Sequence, residues 1–117
     1  MKKIYHLSTC DTCKRIIKEL DLPDSFIFQD IKTEEITEAQ LEEMKELSGS
    51  YESLFSKRAR LYKERDLKNK DLIEEDFKKL ILEHYTFLKR PVIINEEQIF
   101  VGNSKKNVAA AKESVHG

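Results

Sequence analysis

Cys10 and Cys13, two residues apart within YHLSTCDTCKRIIKEL, are the only cysteines of the 117-residue chain. They stand where a short apolar run gives way to a basic, helix-forming one. Such a pair can be half of a zinc site, a structural disulfide or the reactive end of a thiol enzyme. A structural zinc site takes about four ligands, usually from two Cys/His pairs. Of the three histidines, His84 and His116 are isolated, so the second pair is missing and no metal is expected. Cys10 has the stronger chemical position. It falls at a strand-to-helix junction, where unpaired backbone N–H groups and the helix dipole favour an anion, and the thiolate is the nucleophilic form of cysteine. Cys13 lies on the apolar stripe of the same helix, where a free cysteine is also an ordinary small core residue. His6, four residues before Cys10, can add positive charge or a hydrogen bond, or is simply a polar residue at a strand end.

Several elements must hold these residues in place. Lys3 to Leu7 reads as a strand running into a Ser-Thr loop. From Asp11 to Leu20, Cys13, Ile16, Ile17 and Leu20 recur at helical spacing, with Lys14, Arg15, Lys18 and Glu19 outside the stripe. Leu22-Pro23-Asp24 ends that helix, and Ser25 to Asp30 reads as a strand covered on both faces. A β-α-β crossover of this kind pairs its strands in parallel. Thr37 to Tyr85 looks helical throughout. Thr37 and Gln40 have capping-box spacing, Leu41, Met44 and Leu47 mark a face, and Gly49 follows the helix end. Ser53 to Arg65 is looser, whereas Asp71 to Tyr85 places Ile73, Phe77, Leu80, Ile81 and His84 on one side. After Arg90-Pro91 the period changes. Val92 to Ile94 and Gln98 to Val101 form a hairpin around Asn95-Glu96-Glu97, and Gly102-Asn103-Ser104 opens a last helix through Val108, Ala111 and Val115.

Composition bounds the function classes. Charged residues form 37% of the chain, yet 21 basic and 22 acidic groups leave a formal net charge of −1, which gives no bulk footprint for nucleic acid. No apolar run approaches the ~20 residues that span a bilayer, and the N-terminus does not read as a signal peptide. The expectation is a cytoplasmic protein with no membrane association, where a cysteine pair is more often catalytic or metal-binding than structural. The length suits one domain, residues 1–117, with a helical insertion over about 35–87.

With strand, cysteine and helix placed, the chain resembles the arsenate reductase (ArsC) and Spx family of thioredoxin-fold proteins. The resemblance rests on Tyr5-His6 leading to Cys10, on the ITEAQLEEM helix and on the basic segment Leu54 to Arg60. Its most specific parts are Leu88-Lys89-Arg90-Pro91-Val92-Ile93-Ile94 and Phe100-Val101-Gly102. It implies an α/β, thioredoxin-like (glutaredoxin-like) fold, a mixed four-stranded sheet with an inserted helical block. It also implies that Cys10 matches the nucleophilic cysteine and that Arg90, before a cis-proline at Pro91, faces it. Arginine suits that role because its planar fork binds oxyanions at two points and keeps its charge. Cys13 resembles the redox CxxC of the Spx branch. Arsenate reductases that couple to glutaredoxin carry further arginines; at the matching places this chain has Tyr62 and either Gly102 or Asn103, with Arg58 and Arg60 nearby.

Two functions of different class follow from the resemblance. One is a thiol-dependent reductase with Cys10, Cys13 and Arg90 as catalytic residues and His6, Thr12, Lys14, Arg58, Arg60 and Pro91 as substrate-binding candidates. It would have no bound cofactor; glutathione, glutaredoxin or thioredoxin would supply electrons. The other is an Spx-like redox-sensing transcription regulator in which Cys10 and Cys13 form a switch. Its helical block around Gly49 would dock on the C-terminal domain of the RNA polymerase alpha subunit, without direct contact to nucleic acid. The chain ends soon after its last helix, without the longer basic tail of that branch, which favours the reductase.

Overall fold

The computed structural model describes residues 1–117, which divide into two compact units, one formed by residues 1–35 and 90–117 and the other by residues 36–89. Each is built around apolar residues of its own segments.

The first unit carries the cysteines. Strand β1 (Lys2–His6) leads into helix α1 (Asp11–Leu20), strand β2 (Ile27–Asp30) follows, and after the second unit the chain returns as strands β3 (Val92–Asn95) and β4 (Gln98–Val101) and helix α5 (Lys105–His116). The sheet order is β2-β1-β3-β4, with β1 parallel to β2 and antiparallel to β3, and β3 antiparallel to β4. This is the mixed four-stranded sheet expected from the chain order. Ile4 of β1 and Ile93 of β3 pack with Ile16 and Leu20 of α1, with Phe26, and with Val108 and Ala111 of α5. The stripe expected on α1 is the buried one: Cys13, Ile16 and Leu20 are buried while Lys14, Arg15, Lys18 and Glu19 are exposed. Ser104 caps α5, its hydroxyl accepting from the Asn107 N–H at 3.1 Å.

Strand β2 differs from the expectation. It begins at Ile27 and not at Ser25, and it lies at the sheet edge with Ile27 59% and Phe28 47% exposed, so it is not covered on both faces. Three apolar residues in a row cannot distinguish a central strand from an edge strand, because the pattern reports side chains and not the neighbouring strand. Here Phe26, just before β2, and Gln29, within it, are the buried residues.

The second unit holds helices α2 (Glu38–Ser48), α3 (Arg60–Glu64) and α4 (Glu74–Glu83), with 3-10 turns at Glu52–Leu54, Leu67–Asn69 and Tyr85–Phe87. The capping box of α2 is present: the Thr37 hydroxyl accepts from the Gln40 N–H at 3.1 Å and the Gln40 side-chain carbonyl from the Thr37 N–H at 3.0 Å. Gly49 ends that helix at φ +101°, a left-handed conformation that glycine adopts without steric cost. Helix α4 starts later than Asp71. Ile73, 65% exposed, stands before its first turn, outside the face that buries Phe77 and Ile81. The Asp76 carboxylate accepts from the Ile73 N–H at 3.0 Å, and that bond sets the start. Phe55 stacks on Phe87 at 5.3 Å and meets Phe77 at 4.9 Å, so this unit is centred on aromatic rings.

Candidate functional site

The β1–α1 junction is built from short-range bonds. After β1 the chain turns through Ser8 and Thr9, and the Cys10 N–H donates to the Leu7 carbonyl at 3.0 Å. Cys10 is the N-cap of α1, extended at φ −94° and ψ 116°, and its carbonyl accepts from the Lys14 N–H at 3.1 Å. Its sulfur forms no side-chain cap bond of ordinary geometry, but it stands at the open end of the helix. Cys10 is half-buried and Cys13 buried, and both are free thiols.

The two thiols are driven in opposite directions. Burial pushes Cys10 up, but the N–H and S–H of Cys13, the N–H of Thr12 and the Arg90 charge together outweigh it, so its pKa lies below that of an ordinary thiol. At Cys13 burial is the largest influence; the charge and hydrogen bonding of Cys10 add to it, and the Leu7 N–H and Arg90 only partly oppose it, so the thiol is pushed up to about 11. Proton and charge are thereby divided: Cys10 is the thiol that ionises first, and Cys13 keeps its hydrogen and points it at its neighbour.

Of the residues singled out in the sequence, Cys10, Thr12, Cys13 and Arg90 act on one another here. Thr12 does so through its backbone N–H. Arg90 precedes a cis bond to Pro91, and the Pro91 carbonyl accepts from the Gly102 N–H at 2.9 Å, which ties the residue after β4 to the start of β3. Gly102, at φ +94°, is fixed further by the Asn107 side-chain amide donating to its carbonyl at 2.8 Å. Lys14 lies on the exposed side of α1. His6 turns to β2: its pKa is lowered by burial, partly offset by the Asp30 carboxylate, and its ring meets Phe28 edge-on at 5.8 Å. Arg58 and Arg60 belong to the second unit; Arg58 is exposed, and the Arg60 Nε donates to Glu64 at 2.9 Å.

The family model of the ArsC family matches residues 5–111. This chain belongs to the ArsC family. Solved structures agree with it in fold. The YffB (PA3664) protein superposes at a TM-score of 0.77 with 23% identity, covering 95% of this chain and 98% of its own. An arsenate reductase from Vibrio cholerae gives 0.73 with 20% identity, covering 94% and 96%. SACOL0876 from Staphylococcus aureus COL gives 0.76 with 27% identity, covering 94% and 97%. Among curated proteins none matches the chain. The fold of this ArsC-family member is thioredoxin-like, the sheet order and the connection of its strands being those of that class.

Sequence reasoning missed two residues at this junction. The Ser8 hydroxyl donates to an Asp30 carboxylate oxygen, joining the loop before Cys10 to the end of β2. Nothing in the sequence signals a bond between residues 22 apart; the parallel register that sets His6 opposite Asp30 creates it.

Proposed function

We propose that this ArsC-family protein is a thiol-dependent reductase with Cys10 as nucleophile. The observation that carries the reading is the opposed tuning of the pair, Cys10 below and Cys13 above an ordinary thiol, with the Arg90 charge acting on both. On a mixed disulfide, the Cys10 thiolate attacks one sulfur and the other departs as a thiolate. The new Cys10 disulfide is then opened by Cys13 or by glutathione, whose own sulfur is oxidised in the step. On an arsenate-like oxyanion, Cys10 displaces an oxygen as water. A second thiol then attacks the Cys10 sulfur, and the bonding pair left on arsenic reduces it from As(V) to As(III). Arg90 steadies negative charge in either case. Glutathione with glutaredoxin, or thioredoxin, is the proposed source of electrons, the protein is proposed to work without a bound cofactor, and the cytoplasm is the proposed compartment.

Substrate binding is proposed for His6, Thr12, Lys14 and Pro91, and for Arg58 and Arg60 on the second unit. The test is turnover of arsenate and of a glutathione mixed disulfide by the wild type and by Cys10→Ser. Turnover lost with Cys10 supports the reading; no turnover on either substrate overturns it.

A second reading is an Spx-like regulator, for which Gly49, exposed at the end of α2, is the proposed docking position. If the protein shows no reductase turnover and pulls down the C-terminal domain of the RNA polymerase alpha subunit, that reading replaces the first.

A further inference from the structure

The loop that presents Cys10 is held from the neighbouring strand. Ser8 and Thr9 are exposed residues between the end of β1 and Cys10, and the Ser8 hydroxyl reaches the Asp30 carboxylate at the end of β2, with the Ser8 backbone N–H acting on the same carboxylate. Asp30 is itself well anchored. Its other oxygen accepts from the Lys32 N–H at 3.1 Å, and its carbonyl accepts from the N–H groups of Thr33 at 3.2 Å and Glu34 at 2.8 Å. The backbone makes a second link between the two strand ends, the Ile31 N–H donating to the His6 carbonyl at 2.9 Å. A fixed turn therefore holds one end of the Ser8–Asp30 bond, and the other end lies two residues before the N-cap of α1.

We propose that Asp30 is a positioning residue for the Cys10 thiolate, acting through Ser8, chiefly its hydroxyl and also its backbone N–H, to hold the Leu7–Cys10 turn at the N-terminus of α1. The inference rests on the reading of Cys10 as nucleophile. The charged or titratable groups acting on Cys10 are Cys13 and Arg90; Asp30 acts on His6 and is not among those acting directly on the sulfur. Tether and charge therefore predict opposite signs. Removing a nearby carboxylate by itself makes a thiolate easier to form, whereas freeing the turn misaligns its N–H donors and makes it harder.

The experiment follows iodoacetamide modification of Cys10 in the full chain from pH 4 to 10, read at the Cys10 peptide by mass. Ser8→Ala should raise the midpoint by about half a pH unit, which is a roughly threefold slower reaction below the midpoint. Ser8→Thr, which keeps the hydroxyl, should restore the wild-type curve. Asp30→Ala should raise the midpoint at least as far as Ser8→Ala does, since it also releases the Ser8 N–H, and the double variant should go no further than Asp30→Ala alone, as expected of residues acting through one contact. A Ser8→Ala curve on top of the wild type, an Asp30→Ala midpoint that falls, or additive shifts would each overturn the inference. A wild-type midpoint at the ordinary thiol value would instead overturn the nucleophile reading, and the shifts between variants would still report the tether.

Discussion

Cys13→Ala removes the group that points a hydrogen at Cys10 without touching the nucleophile, so it isolates one contribution to the thiolate. A hydrogen bond to a charged partner contributes about 1.5–3 kcal/mol, and a thiol is a weak donor, so the lower end of that range applies. At 1.36 kcal/mol per pKa unit, the Cys10 midpoint should rise by about one unit and its thiolate fraction below the midpoint should fall about tenfold. Because Cys13 is only 1% exposed, the same change leaves a small void and an unsatisfied Leu7 N–H. The stability cost should be roughly 1–2 kcal/mol, about what a buried methylene and its cavity contribute. The variant has a single thiol, so the rate of iodoacetamide modification against pH reports Cys10 alone. Cys13→Ser supplies an O–H donor in place of the S–H and should return the midpoint most of the way to the wild type. The reasoning fails if the Cys13→Ala profile coincides with the wild-type fast phase, or if serine and alanine shift it equally.

Four further outcomes follow from the structure. Arg90→Lys should lower reductase turnover by about tenfold with little change in thermal unfolding, since lysine keeps the charge but loses the two-point contact; equal turnover would remove Arg90 from the site. Because the Cys13 thiol is raised to about 11 when folded, the unfolded chain releases that proton first. Stability should therefore fall as pH rises from about 9 to 11, a slope that urea titrations should find reduced in Cys13→Ala. Thr37→Ala should cost about 1 kcal/mol in the same urea titrations by removing the cap of α2, with Cys10 reactivity unchanged. Ile16→Ala, at a residue 1% exposed in the core of the first unit, should lower the urea midpoint by the equivalent of about 2–4 kcal/mol.

The local parts of this protein were legible in its residues because their causes are local. The stripe Cys13, Ile16, Leu20 repeats at the helical period, so α1 and the side it buries follow from spacing alone. The Thr37–Gln40 capping box and Gly49 bracket α2 within one turn at each end, and the hairpin of β3 and β4 turns at Glu96-Glu97. Cys10 at a strand-to-helix junction was legible for the same reason, since its place follows from where one period stops and the next begins. Where a boundary depended on a single side chain, pattern was a poor guide: Ile73 looked like part of the α4 stripe, but the bond from its N–H to Asp76 starts the helix after it.

Beyond the parallel crossover and the hairpin, the meetings of distant segments were decided by tertiary structure. Ser25 to Asp30 read as a covered strand because Phe26, Ile27 and Phe28 are apolar in a row, but strand order put β2 at the edge and left Ile27 and Phe28 exposed. The approach of Arg90 to Cys10 joins residues 80 positions apart through the antiparallel pairing of β1 with β3, and no spacing rule reaches so far. The direction of His6 and the bond from Ser8 to Asp30 depend on the register of two parallel strands, where a slip of one residue would turn each side chain to the opposite face. Residue types along the chain determined which thiol chemistry was available and which helix end would present it. The sheet decided which charges and hydrogen bonds surround that thiol, because electrostatic influence falls with distance in space and takes no account of distance in sequence.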